Sequence, residues 1–194
     1  MLPGFLCRST RLSFLALTAI ISTMGCALRP EAVPKERYER ALELIERGTE
    51  SLRKGRLAEA DAAYSASFEL APLAPALDGQ GCVALLSGEL ERAEELFNSA
   101  YEIDRKYDHA LANLALLHDI QGKFREAKRL YDRVIAALPD DVAARNNRAA
   151  LEYDRGASKI EVVRELEKAA LVGKHEVVHD NLTRLRSGAI PGMR

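Results

Sequence analysis

Little in this chain announces a chemical reaction. Its 194 residues hold only three cysteines, no glycine-rich phosphate loop, and 28 basic against 29 acidic residues, a net charge of −1. That balance leaves no basic stripe to follow a nucleic-acid backbone. The aromatics fall at core-type positions rather than as stacking platforms. Long apolar runs are missing too. The uncharged stretch from Leu12 to Met24 has 13 residues. Such a helix would rise about 20 Å, against a hydrocarbon core of about 30 Å.

What the chain does have is a period. Glycines recur at Gly55, Gly88, Gly122 and Gly156, at intervals of 33, 34 and 34 residues. Each of the first three is followed by an alanine, an aromatic and a small or apolar residue at fixed offsets. These sets are Ala60/Tyr64/Ser67, Ala93/Phe97/Ala100 and Ala127/Tyr131/Val134. The fourth set returns one residue late, as Val162/Leu166/Ala169. A period of about 34 with this internal pattern predicts antiparallel helix pairs stacked into a solenoid. The glycine supplies the left-handed turn between two helices, and the alanine lets them cross closely. The aromatic fills the wedge between neighbouring repeats. Pro72 and Pro139 fall where each second helix should stop, while Arg105 takes the intervening place.

These positions resemble the tetratricopeptide repeat. The best match is Leu111-Ala112-Asn113-Leu114-Ala115, followed by Gly122-Lys123-Phe124, Ala127, Tyr131 and Pro139. The resemblance implies an all-α fold, a right-handed superhelical solenoid of about four helix hairpins plus a C-terminal capping helix. The solenoid is expected over residues 36–172, with repeats at 41–73, 74–107, 108–141 and 142–172. Gly173 breaks it. Val178, Leu182 and Leu185 then mark the capping helix within a final segment, 173–194.

The N-terminus carries a second signal. Arg8 and Arg11 precede the short apolar run, and Gly25-Cys26 follows it. A basic start, a short apolar core and small residues at a junction form a secretory signal. The Gly-Cys junction resembles that of bacterial lipoproteins, which implies lipidation of Cys26 after removal of residues 1–25. Thr23 departs from that motif, and Ala27 offers an alternative cleavage point. Residues 26–35, with Pro30 and Pro34, read as a short tether. In that mature chain Cys82 stands alone, so no internal disulfide can form.

One motif tempts toward catalysis. His175-Glu176-Val177-Val178-His179 spells H-E-x-x-H, in which two histidines share one zinc and the glutamate activates water. Such a site needs a third ligand. Beyond His179 only Asp180 could ligate, and Leu182 and Leu185 stand where the extended motif wants glycine and histidine. The competing reading is a capping helix with histidines at the edge of its apolar face, and the expectation is no enzyme and no cofactor. His109 and His118 read as a groove residue and a packing residue.

The family resemblance also implies a groove lined by first helices. The positions carried over are Leu42, Ile45, Thr49, Asp78, Cys82, Leu85 and Leu86 in the first two repeats. His109, Ala112, Asn113, Leu116, Asn146, Asn147, Ala150 and Tyr153 follow in the others. Asn113 and Asn147 occupy the place where the family often keeps an asparagine for a ligand's backbone. Ile45 and Thr49 replace the lysine and asparagine of chaperone-binding members. This mostly apolar surface predicts an apolar or amphipathic protein segment as ligand, and no nucleic acid. Some of its side chains could instead pack on the C-terminal helix.

The whole layout resembles envelope lipoproteins that assist tight-adherence (Flp) pili and type IV pilotins. It implies a lipid-anchored scaffold on the periplasmic face of the outer membrane, binding another envelope protein during assembly of a pilus or secretin. The layout and Arg145-Asn146-Asn147 carry that resemblance. A zinc peptidase and a self-associating structural repeat protein are the alternatives.

Overall fold

Four glycines set the architecture. Gly55, Gly88, Gly122 and Gly156 have φ of 71°, 79°, 75° and 90°, a left-handed conformation that only glycine adopts without steric cost. In each turn the amide after the glycine reaches back to close the helix. The bonds are Arg56 N–H to Ser51 O, Glu89 to Ala84, Lys123 to His118 and Ala157 to Glu152, at 2.8 to 2.9 Å. This is the glycine-dependent bond that caps helix ends, repeated four times.

The computed structural model describes residues 33–172 and 175–187. The signal segment, the Gly25-Cys26 junction, the tether up to residue 32, Gly173 and the tail after Ser187 lie outside the described residues. Among the described residues there are nine helices and no strand. They are α1 (Lys35–Arg53), α2 (Leu57–Leu70), α3 (Ala74–Leu86), α4 (Leu90–Ile103), α5 (Asp108–Ile120), α6 (Phe124–Ala137), α7 (Val142–Asp154), α8 (Lys159–Val172) and α9 (Glu176–Ser187). No helix among these residues is long and apolar enough to cross a membrane.

Helices pair as α1/α2, α3/α4, α5/α6 and α7/α8, each packed on the next pair, while α1, α3, α5, α7 and α9 also touch in sequence. The periodic residues form the core. Ala60, Ala93 and Ala127 are fully buried, as are Phe97 and Tyr131. Tyr131 packs with Leu111 and Ala115 of α5 and with Ala144 and Leu151 of α7, so it is the wedge between two repeats. Truncating such an aromatic typically costs about 3–5 kcal/mol. The late fourth set is equally buried, with Val162 at 2% exposure and Leu166 and Ala169 at 0%. Against it lie Val178, Leu182 and Leu185 of α9, which closes the C-terminal end.

Close approach needs small residues beyond the periodic alanines. A Cβ at Gly79 would fall 2.4 Å from the ring of Tyr64, and one at Gly81 would fall 2.5 Å from that of Phe97. Helix α3 is thereby clasped between the aromatics of two second helices.

Candidate functional site

The first helices form one layer, and the residues carried over from the repeat pattern divide sharply within it. Ile45 is half-buried against Ala60 and Tyr64. Thr49 is exposed, but its hydroxyl donates to Ile45 O at 2.9 Å and meets the Tyr64 hydroxyl at 3.1 Å. Leu85 and Cys82 pack on the Phe97 core, and Ala112 on the Tyr131 core. Leu116 is half-buried, whereas Leu42 and Leu86 are exposed.

The centre of the layer is polar, which corrects the expectation of a mostly apolar groove. Asp78 is only 7% exposed. It accepts from Asn113 Nδ2 at 2.9 Å and from the Tyr107 hydroxyl at 3.1 Å. Asn113 also donates to Cys82 Sγ at 3.5 Å. An asparagine expected to meet a ligand is thus occupied by its neighbour helix. The reason is geometric: α3 and α5 run side by side, and their facing polar groups satisfy one another.

Burial governs the acidity of this cluster. It pushes the Asp78 carboxyl above its ordinary value, against the hydrogen bonds from Asn113 and Tyr107. Burial, followed by the field of Asp78, pushes the Cys82 thiol up to about 12. The Tyr107 hydroxyl rises for the same two reasons. Cys82 is therefore a packed thiol, not a poised nucleophile.

Beside the cluster opens a cleft of about 800 Å³. Asp78, Tyr107, His109 and Asn113 line it from α3 and α5, and the turn Leu138 to Val142 from the other side. His175 also contributes. The His109 side chain is exposed, with its ring 5.5 Å from that of Tyr107 and its Nδ1 3.8 Å from Asp141 Oδ2. Asp141 in turn caps α7 by accepting from Ala144 N–H at 2.8 Å. His118 lies elsewhere, packed with its Nε2 3.6 Å from Glu94 Oε1.

In the fourth repeat the expected groove is covered. Asn146 is 6% exposed and accepts from Asn181 Nδ2 of α9 at 2.8 Å. Its own Nδ2 donates to Asn147 Oδ1 at 3.3 Å. Ala150 is buried and Tyr153 packed in the cluster formed with Val178 and Leu182. These residues hold α9 rather than face solvent. Arg145 is likewise engaged, donating through Nε to Pro139 O at 2.8 Å and lying 3.8 Å from Glu165.

The H-E-x-x-H segment starts α9. His175 precedes it, Glu176 is its first residue, and both lie exposed along with His179, while Val178 is buried. Among the described residues, no three His, Cys, Asp or Glu side chains gather where a metal ion could be held.

Residues 84–151 match the family model of the tetratricopeptide repeat. The fold is a tetratricopeptide-repeat solenoid. The first such domain of Spaghetti (RPAP3), solved bound to the HSP90 peptide SRMEEVD, superposes with a TM-score of 0.57 at 22% identity, over 62% of this chain and 98% of that domain. MamA superposes with a TM-score of 0.55 at 20% identity, over 68% of this chain and 77% of MamA. In sequence, human trafficking protein particle complex subunit 12 is 28% identical over 112 residues, 55% of this chain. The match spans only 15% of that human protein.

Proposed function

We propose that this chain is a non-catalytic scaffold whose first-helix face holds a segment of another protein. The observation that carries the reading is the open cleft between α3, α5 and the α6–α7 turn, continuous in register with exposed Leu86 and half-buried Leu116. A helical solenoid offers such a face to an extended or helical ligand. The same fold in RPAP3 accommodates a peptide of HSP90. The ligand here is of another kind, because Ile45 and Thr49 stand where chaperone-binding members clamp a carboxylate.

The finer reading is an envelope lipoprotein, anchored by Cys26 in the outer membrane and facing the periplasm. There it would help assemble a machine such as a pilus or secretin. It rests on the basic start, apolar run, Gly25-Cys26 junction and tether of the sequence. Two or more acyl chains would hold the protein firmly, since each buried methylene adds about 0.8 kcal/mol.

Co-purification from solubilised envelope tests the binding face. Leu116→Glu should abolish partner capture with helical content unchanged, while Glu102→Lys, on the exposed end of α4, should leave capture intact. The reverse pattern would place the working face on the second helices. Cys26→Ser should release the protein from membranes, and an unacylated wild-type chain would end the lipid assignment.

A further inference from the structure

The charge on Asp78 is not needed for the bond that Asp78 makes. Asp78 lies ten residues before Gly88, and Asn146 ten residues before Gly156. Each accepts from an asparagine 35 residues on, Asp78 from Asn113 and Asn146 from Asn181. A neutral amide thus suffices to bridge successive first helices in the fourth repeat. In the second repeat the same task falls to a carboxylate that is 7% exposed. No lysine or arginine forms an ion pair with it among the described residues, both its hydrogen-bond donors are neutral, and the one basic group acting on it is the exposed His109 across the cleft. Burying a carboxylate without a full ion-pair partner is unfavourable. At Asp78 that cost is borne beside the cleft, which Asp78 lines.

The lining of the cleft suits a cationic side chain. Its walls include Ala112, Ala137, Leu138 and Pro139, apolar surface suited to a methylene stem. Asp140 and Asp141 stand at the turn beside them, and no lysine or arginine lines the space. Tyr107 adds an aromatic face against which a cationic head can lie. Leu86 and Leu116, further along the first helices, suit apolar neighbours of that head in the same ligand.

We propose that this cleft receives a lysine or arginine side chain of the partner's bound segment, with Asp78 as the buried counter-charge. The assignment rests on the first-helix face being the binding face and adds the chemical class of its anchor. The ligand is then a basic amphipathic segment, opposite in charge at its anchor to the acidic SRMEEVD peptide held by the RPAP3 domain.

The full-length chain in detergent can be screened against a position-scanning library of capped nonapeptides. Lysine or arginine should be enriched at one position and apolar residues at others. For the best lysine peptide, replacement of that lysine by norleucine should weaken binding about tenfold, the size of one charge-assisted hydrogen bond. Asp78→Asn should weaken the lysine peptide by a similar factor and leave the norleucine peptide unchanged. Asp140→Asn, on the exposed turn, should give a smaller loss of the same selectivity without touching the helix bridge.

Equal losses for both peptides in Asp78→Asn would overturn the counter-charge role, since only a structural defect acts on both. Enrichment of apolar residues with no basic one would overturn the anchor and leave the binding face standing. No enrichment over the Leu116→Glu variant would overturn both. Lysine selection that survives Leu116→Glu but not Asp78→Asn would support the pocket and sink the wider face.

Discussion

Helices α3 and α7 hold the same place in their repeats but live in different surroundings. Along α3 the register position of Asp78 opens onto a cleft beside α5 and the α6–α7 turn. Along α7 the equivalent Asn146 is sealed by α9. Both side chains are buried, at 7% and 6% exposure, so repetition in sequence specifies the face and its burial but not whether a cleft opens beside it, which depends on whatever packs next. The open position carries a charge and the sealed one an amide. The proposed cationic anchor would account for a carboxylate kept where it costs stability, since a purely structural bridge would be better served by asparagine.

Breaking the seal should have the largest effect. Leu185 of α9 is fully buried, whereas Leu86 of α3 is 64% exposed. Leu185→Ala should cost about 2–5 kcal/mol in urea unfolding, against roughly half a kcal/mol or less for Leu86→Ala. Equal costs would mean that α9 merely rests on the solenoid and does not seal α7.

Exchanging the two bridging residues sharpens the comparison at an intermediate scale. Asn146→Asp places a carboxylate in the sealed position, where it also faces Asn147 Oδ1. The expected cost is about 1–3 kcal/mol near neutral pH. Asp78→Asn should act the other way. Burial raises the Asp78 carboxyl, so the folded chain holds that proton more tightly than the unfolded chain. The resulting stability is present below the unfolded carboxylate range and is lost as pH rises through the raised folded value. Asp78→Asn escapes this loss, so its melting temperature should exceed the parent's at about pH 7 and approach it at about pH 3. A variant that melts lower at neutral pH would show that the negative charge itself supports the fold.

The smallest effect concerns Cys82, half-buried beside Asp78 on the open helix. With its thiol pushed up to about 12, it should resist iodoacetamide at neutral pH in the native protein and react readily once unfolded. Mass mapping of alkylated peptides reads this directly. A native rate close to the unfolded rate would mean that the cluster around Asp78 opens freely.

Much of the architecture was legible because repeat geometry is local and recurs. The turn glycines, the buried alanines, the wedge aromatics and the helix after Gly173 all followed from spacing. The site was less legible. Asn113, Asn147 and Asn181 recur every 34 residues, a ladder that marks α9 as a further first helix. Beside the H-E-x-x-H segment Asn181 adds nothing decisive to a metal site, and its bridge to Asn146 is not marked by a regular row of acceptors, because Ala112 stands between Asp78 and Asn146 in that row. Tyr107 was missed for another reason. It precedes α5 at the helix N-cap, outside the periodic faces, and only folding brings its hydroxyl to Asp78. The close approach of α3 to Tyr64 and Phe97 was also unmarked, since glycines inside a helix are not read as contacts until the partner rings are placed.

By itself the sequence determined a stack of helix hairpins, since φ at a glycine and the 3.6-residue period act within one repeat at a time. Tertiary structure alone decided which of the equivalent bridged positions lies beside an open cleft, and where a carboxylate ends up buried with no lysine or arginine paired to it among the described residues. Those outcomes depend on the next element in the stack, whose distance in the chain is about one full repeat, beyond the reach of any local pattern.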